Sequence, residues 1–261
     1  MSSATPSDQS PEVRAQERVA ERIFDGLWRA WLTYGLTAFL VVMHVVVGLR
    51  PFFRGRWRWY HVAVWPRGQW LLAHYGSLRT KAVDRGEYYR LLSAGFLHVD
   101  GLHLLVNTLG LLLVGRVCES VYGPIRTLTI FLLSTLGGTS CSWLIGRTES
   151  SVGASAGIFG LMGAAVWFGW TRSAELPEDV ARVLKRRLAV IVVINLLLGL
   201  PLGFIDNHAH VGGLLAGVAA AVPMGDRVGR SRPVSTLNTV LLGLGCGGLL
   251  LWAAAGVASR L

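Results

Sequence analysis

The sequence predicts an all-α fold, a polytopic membrane helix bundle, on three observations. Of the 261 residues, 52% are hydrophobic and only 15% are charged, whereas an ordinary soluble domain carries about 25% charged residues. Seven stretches without Asp, Glu, Lys or Arg run at about 31–49, 102–115, 127–145, 155–171, 188–205, 207–224 and 236–257, most of them close to the roughly 20 residues that cross a bilayer. The basic residues that make the net charge +10 fall mostly between these stretches. They gather in no Lys/Arg-rich helix, so the charge reads as a topology signal and not as a nucleic-acid surface.

Residues 1–30 are rich in Ser, Pro, Gln, Glu and Arg and read as a cytoplasmic polar tail. The first apolar run has no small-residue cleavage site after it, which argues against a signal peptide. The first span is followed by a long loop, about 50–101, with nine Lys/Arg and with Trp57, Trp59, Tyr60, Trp65, Trp70 and Tyr75 among them. That mixture suits the headgroup layer. The second span is short and is expected to extend upstream to about His98. The sixth follows the fifth so closely that only a hairpin can join them. The seventh stands apart, in 225–261, from a six-helix core over 31–224. Cys118, Cys141 and Cys246 lie in or beside apolar runs, and their odd number fits neither a disulfide framework nor a cysteine-rich metal module.

Orientation follows from the short loops. Arg116 and Arg126 follow the second span; Arg172, Arg182, Lys185, Arg186 and Arg187 follow the fourth; Arg227, Arg230 and Arg232 follow the sixth. Arg147 alone follows the third span, and no basic residue follows the fifth. The positive-inside rule then places the N-terminus in the cytoplasm, and long loops such as the first are weakly bound by it. The second, fourth and sixth helices all enter from outside, so their first turns share one depth.

Those first turns hold the polar residues. His103 and Asn107 open the second helix, Ser155 opens the fourth within Gly153-Ala154-Ser155-Ala156-Gly157, and His208 and His210 open the sixth. Polar side chains at membrane depth are costly and point to function. In this order, Gly153-x-Ser155-x-Gly157, His103-x-x-x-Asn107 and Ala209-His210-x-x-Gly213-x-x-x-Gly217 resemble the serine, oxyanion and histidine motifs of the rhomboid family of intramembrane serine proteases. The resemblance covers about 87–224. Ala156 stands where that family often has Gly, and Tyr89-Arg90 where its outer loop commonly has Trp-Arg. The family implies a six-helix core, here with a C-terminal seventh transmembrane helix, as part of the family has. It implies serine endopeptidase activity without a cofactor, on single-pass transmembrane substrates. It also implies that Phe159 packs on the catalytic histidine and that His98 is structural. A multi-pass protein of the plasma membrane is expected.

From the residues themselves, Ser155 needs a base to become a nucleophile, and the neutral imidazole of His210 would supply one. Glu175, Glu178 and Asp179 lie in a cytoplasmic loop, so a Ser/His dyad is the economical reading. Asp206, four residues before His210, reads as an N-cap, as Asn207 also does, although an early helix start would place it on the histidine's side. His103 and Asn107, at i and i+4, and the Ser155 N–H at a helix N-terminus would donate to an oxyanion.

Taken singly, Ser155 reads as a cap and Gly213-x-x-x-Gly217 as a helix-packing surface. His208-x-His210 could be a metal pair, but no cysteine or carboxylate cluster completes a coordination sphere. His44 reads as a residue of the first helix, and His61 and His74 as interfacial. At 100° per residue His208 points about 160° away from His210. Gly153-x-Ser155-x-Gly157 also fits the nucleophile elbow of soluble α/β-hydrolases, which needs strands that this pattern does not offer. A transporter should show buried ionisable residues or paired interrupted helices. A non-catalytic scaffold binding transmembrane partners is the remaining alternative, and it should lack Ser155 or His210.

Overall fold

In the computed structural model the described residues are 10–53, 66–227 and 236–259. Trp57, Trp59, Tyr60, His61, Trp65, Arg230 and Arg232 lie outside them. Eight long helices order the described residues: α1 (Pro11–Trp28), α2 (Trp31–Phe53), α3 (Gly101–Tyr122), α4 (Pro124–Cys141), α5 (Ser155–Thr171), α6 (Leu188–Gly199), α7 (Asn207–Met224) and α8 (Thr236–Ala258). Each of the seven apolar stretches contains one of the helices α2 to α8. Among the described residues four segments are long and apolar enough to cross a membrane, namely Pro11–Arg50, Gly101–Tyr122, Pro124–Gly146 and Leu241–Ala258. Among the described residues the only β pairing is an isolated bridge between Leu78 and Ser151.

Within the polar first 30 residues lies a helix, α1. Ser10 caps it by accepting from the Val13 N–H, and proline stands in its first turn, a strong local start signal. Val19 and Ile23 recur at helical spacing and pack into the core. Gly26 is pressed so closely on Ser120 that an added Cβ would lie 2.5 Å from the Ser120 Cβ. Arg116 donates to the Leu27 carbonyl at 3.0 Å, and Gln16 to the Ala174 carbonyl at 3.1 Å.

α3 also departs from its expected limits. It begins at Gly101, because Asp100 accepts the His103 N–H at 2.8 Å and caps it there, so His98 stays outside. It extends the other way, past Arg116 and Glu119, because both charges are satisfied. Glu119, buried, accepts from the Leu32 and Thr33 N–H groups at 3.0 and 2.8 Å and from the Thr33 hydroxyl at 2.7 Å. The carboxylate thus fills the open N-terminus of α2. The fifth span likewise starts earlier than expected, since Glu178–Arg182 and a π turn at Val183–Arg187 lead without a break into α6. It ends at Gly199, two residues before Pro201.

The outer loop is built around Arg90. Its guanidinium is buried and donates to the Ala73 and Ser77 carbonyls at 2.8 and 3.0 Å while pairing with Glu87 at 2.7 Å. The fork geometry lets one side chain gather three segments. Tyr89, its neighbour in the Tyr89-Arg90 pair, is buried against Gly256 of α8.

At the centre, α7 packs against both α4 and α5. Gly213 and Gly217 lie against the backbone of Ala156 and Gly160, and Gly138 of α4 lies against Ala209 and Ala156, with no room for a Cβ at any of the three. Small residues let backbones meet, which is how membrane helices pack closely.

Candidate active site

The first turns of α5 and α7 meet as a direct consequence of that contact. Ser155 is the first residue of α5. His210 lies one turn into α7, whose start is fixed by Asp206: its carboxylate accepts from the Ala209 N–H at 3.0 Å and from the Ser142 hydroxyl at 2.5 Å. Asp206 is therefore the cap, and it ties α7 to the end of α4. The His210 Nε2 stands 2.9 Å from the Ser155 Oγ. The Phe159 ring, one turn below the serine, stacks on the imidazole with centroids 4.3 Å apart and planes 12° from parallel. The buried Nδ1 of His210 has no hydrogen-bond partner among the described residues. Stacking, not a third polar group, fixes the ring.

His103 and Asn107 bound the other side of the serine turn. Gly153, at φ +129, has a conformation that L side chains rarely adopt, and an added Cβ would lie 2.8 Å from the His103 ring and 3.7 Å from the Asn107 amide nitrogen. Glycine here meets both requirements at once. Asn107 is buried and donates one N–H to the His103 carbonyl at 3.0 Å, which leaves its second amide hydrogen. The first N–H groups of α5 have no intrahelical acceptor, and Ile158 is the first residue to bond back, to Ala154 at 3.0 Å. Donors from α3 and from the start of α5 thus lie beside the turn that carries the serine.

The remaining sequence candidates separate clearly. Gly157 is needed because a Cβ would lie 2.5 Å from the Phe131 ring, and Ala156 is buried where α4 and α7 converge. His208 is exposed and rests on Gly146 at the end of α4, away from the serine. His98 is buried, edge-on to His103 with ring centroids 5.2 Å apart, and neither of its ring nitrogens has a hydrogen-bond partner among the described residues. His44 is buried in α2, and its carbonyl accepts from Arg67 at 2.5 Å. No group of three or more His, Cys, Asp or Glu placed to hold a metal occurs among the described residues. The sequence did not single out Ser142 or the Ala94 carbonyl, which accepts the Gly153 N–H at 3.0 Å. The run of small residues from Gly137 to Ser142 was the available sign that this part of α4 meets another backbone.

A serine hydroxyl bonded to an imidazole, beside amide donors at a helix N-terminus, is the equipment of acyl transfer. Comparison with known proteins places the chain in a family. A family model for the Rhomboid domain matches residues 85–227. The chain is 34% identical over 154 residues to "Rhomboid protease GluP" of Bacillus subtilis (strain 168), a match covering 59% of this chain and 29% of that protein. It is 39% identical over 146 residues to "RHOMBOID-like protein 4" of Arabidopsis thaliana, covering 54% and 36%. It is 33% identical over 149 residues to "Inactive RHOMBOID-like protein 8" of the same plant, covering 56% and 41%. The chain thus spans less than half the length of these relatives. With the family match extending over more than half of its residues and a helical bundle to carry it, this chain belongs to the rhomboid family.

Proposed function

We propose that the protein is an intramembrane serine endopeptidase that cuts single-pass membrane proteins in or just outside their transmembrane segments, near the outer face. The observation that carries this reading is the 2.9 Å contact between Ser155 Oγ and His210 Nε2. His210 takes the hydroxyl proton as Oγ attacks the scissile carbonyl. The Ser155 N–H, Asn107 and His103 donate to the resulting oxyanion. The protonated imidazole then gives its proton to the leaving amine, and water, activated by the same imidazole, releases the acyl group from Ser155. No step needs a cofactor. The glycine contacts of α7 support this role, because the backbone approach they permit is what brings the imidazole to the serine.

The positive-inside bias supports an N-terminus in the cytoplasm and the site near the outer surface of a plasma membrane, with 31–224 as the catalytic core and α8 added to it. A non-catalytic scaffold is the second reading, favoured by the 33% identity to a relative named inactive. Fluorophosphonate labelling of the purified protein in detergent separates the two. The protease should be labelled at Ser155 and Ser155→Ala should not; a wild-type protein that takes no label would favour the scaffold.

A further inference from the structure

The connection between α4 and α5 sets where the Ser155 hydroxyl stands, and an outer-loop segment that the catalytic chemistry does not use grips it along its length. Leu78 and Ser151 exchange both backbone hydrogen bonds at 2.9 Å. The Thr80 N–H and hydroxyl both donate to the Thr148 carbonyl, at 3.2 and 2.8 Å. Asp84 closes this grip. One of its oxygens accepts from the Trp143 indole N–H at 2.7 Å and the other from the Arg147 guanidinium at 3.0 Å. Trp143 sits in the π turn Ser142–Gly146 that ends α4, and Arg147 follows it at φ +50, the only non-glycine residue with positive φ among the described residues. One carboxylate therefore braces both sides of the point where the chain leaves the helix and turns toward the serine. Tyr88, edge-on to Trp143 with centroids 6.2 Å apart, holds the indole from the loop side.

We propose that Asp84 is a positioning residue for the reaction, holding the 147–154 connection in the register that presents Ser155 to His210. Leu78, Thr80 and Asp84 all precede the stretch 85–227 that matches the family, so this device is read from the chain's own structure. Asp84 and Arg147 are well exposed, with side chains at 39% and 57% of full exposure, and exposed ion pairs contribute little to stability. The contribution belongs to geometry. A small displacement of a nucleophile costs rate far more than it costs binding or folding.

The proposal rests on Ser155 being the nucleophile, and its test keeps the two claims apart. Full-length wild type, Asp84→Ala, Asp84→Glu, Trp143→Phe and Arg147→Ala are compared in detergent for the rate of fluorophosphonate labelling, for kcat and KM on a transmembrane substrate, and for melting temperature. Asp84→Ala should label and turn over about tenfold more slowly, with KM within about twofold and melting near wild type. Trp143→Phe and Arg147→Ala should each lose less, Asp84→Glu should recover part of the rate, and Asp84→Ala/Arg147→Ala should be no slower than Asp84→Ala. Wild-type labelling and turnover in Asp84→Ala would overturn the proposal. So would losses that follow the melting temperature in all variants. If Asp84→Ala does not fold, Trp143→Phe and Arg147→Ala carry the test, and wild-type rates in both overturn it. A wild type that takes no label at all fails the protease reading itself.

Discussion

Phe159 and His210 lie face to face, 4.3 Å between ring centroids and 12° from parallel, and this contact holds the imidazole where a carboxylate would otherwise do so. Stacked aromatic pairs are worth about 0.5–1.5 kcal/mol beyond the area they bury. Phe159→Leu should therefore lower kcat by about three- to tenfold while leaving KM close to wild type, because the ring would lose orientation and the substrate site would not. Steady-state kinetics on a transmembrane substrate check this.

The two histidines of α7 should behave oppositely. His210 reaches Ser155, whereas His208 is exposed and leans on Gly146. His208→Ala should retain most of the activity, and His210→Ala should fall to the background of Ser155→Ala. The reverse pattern would mean that α7 is rotated from the orientation described.

Gly217 faces the Gly160 backbone so closely that a methyl group has no place to go, whereas Gly245 of α8 has nothing within 4 Å of an added Cβ. Overpacking of a tight contact costs about 1–3 kcal/mol. Gly217→Ala should lower the melting temperature in detergent and reduce activity by moving His210 away from the serine. Gly245→Ala should do neither, and the pair of variants separates local crowding from a general effect of adding a methyl group to a membrane helix.

The outer loop makes a prediction about pH. The Asp84 carboxyl is held below its ordinary value, first by the hydrogen bond from the Trp143 indole, which desolvation opposes, and further by the charge and hydrogen bond of Arg147. A carboxyl whose folded pKa is depressed contributes interaction that is present above its unfolded pKa and lost as pH falls through the folded one. Asp84 therefore stays ionised from about pH 5 upward. Labelling profiles of wild type and Asp84→Asn between pH 5 and 8 should differ in height and keep the same shape. An acid limb present only in the wild type would contradict the assignment.

Much of this was legible in the sequence, for identifiable reasons. The seven apolar stretches announce α2 to α8 because a bilayer demands length and lack of charge, both of which are local properties. Ser155, His103, Asn107 and His210 stood out because polar groups inside such stretches are expensive. Helix limits were less legible wherever a charge is satisfied from elsewhere in the chain: Glu119 continues α3 only because Leu32 and Thr33, far away in sequence, need an acceptor. α1 was hidden by its polar composition, although Ser10, Pro11 and the Val19–Ile23 spacing were present. The Asp84 clamp depends on a pairing between the outer loop and the α4–α5 connection, and no local pattern reports a contact between residues 59 and 63 positions apart.

The central claim is that Ser155 and His210 act as one catalytic unit on membrane-embedded peptide bonds. It is tested most directly by reconstituting the protein in liposomes with a single-pass substrate whose segment contains helix-weakening Gly or Pro, and measuring cleavage by wild type, Ser155→Ala, His210→Ala and the double variant. Groups that work as a unit lose their contribution once, not twice. The account predicts cleavage by the wild type and the same background rate in all three variants, with helical content preserved. Cleavage by Ser155→Ala at the wild-type rate would contradict it.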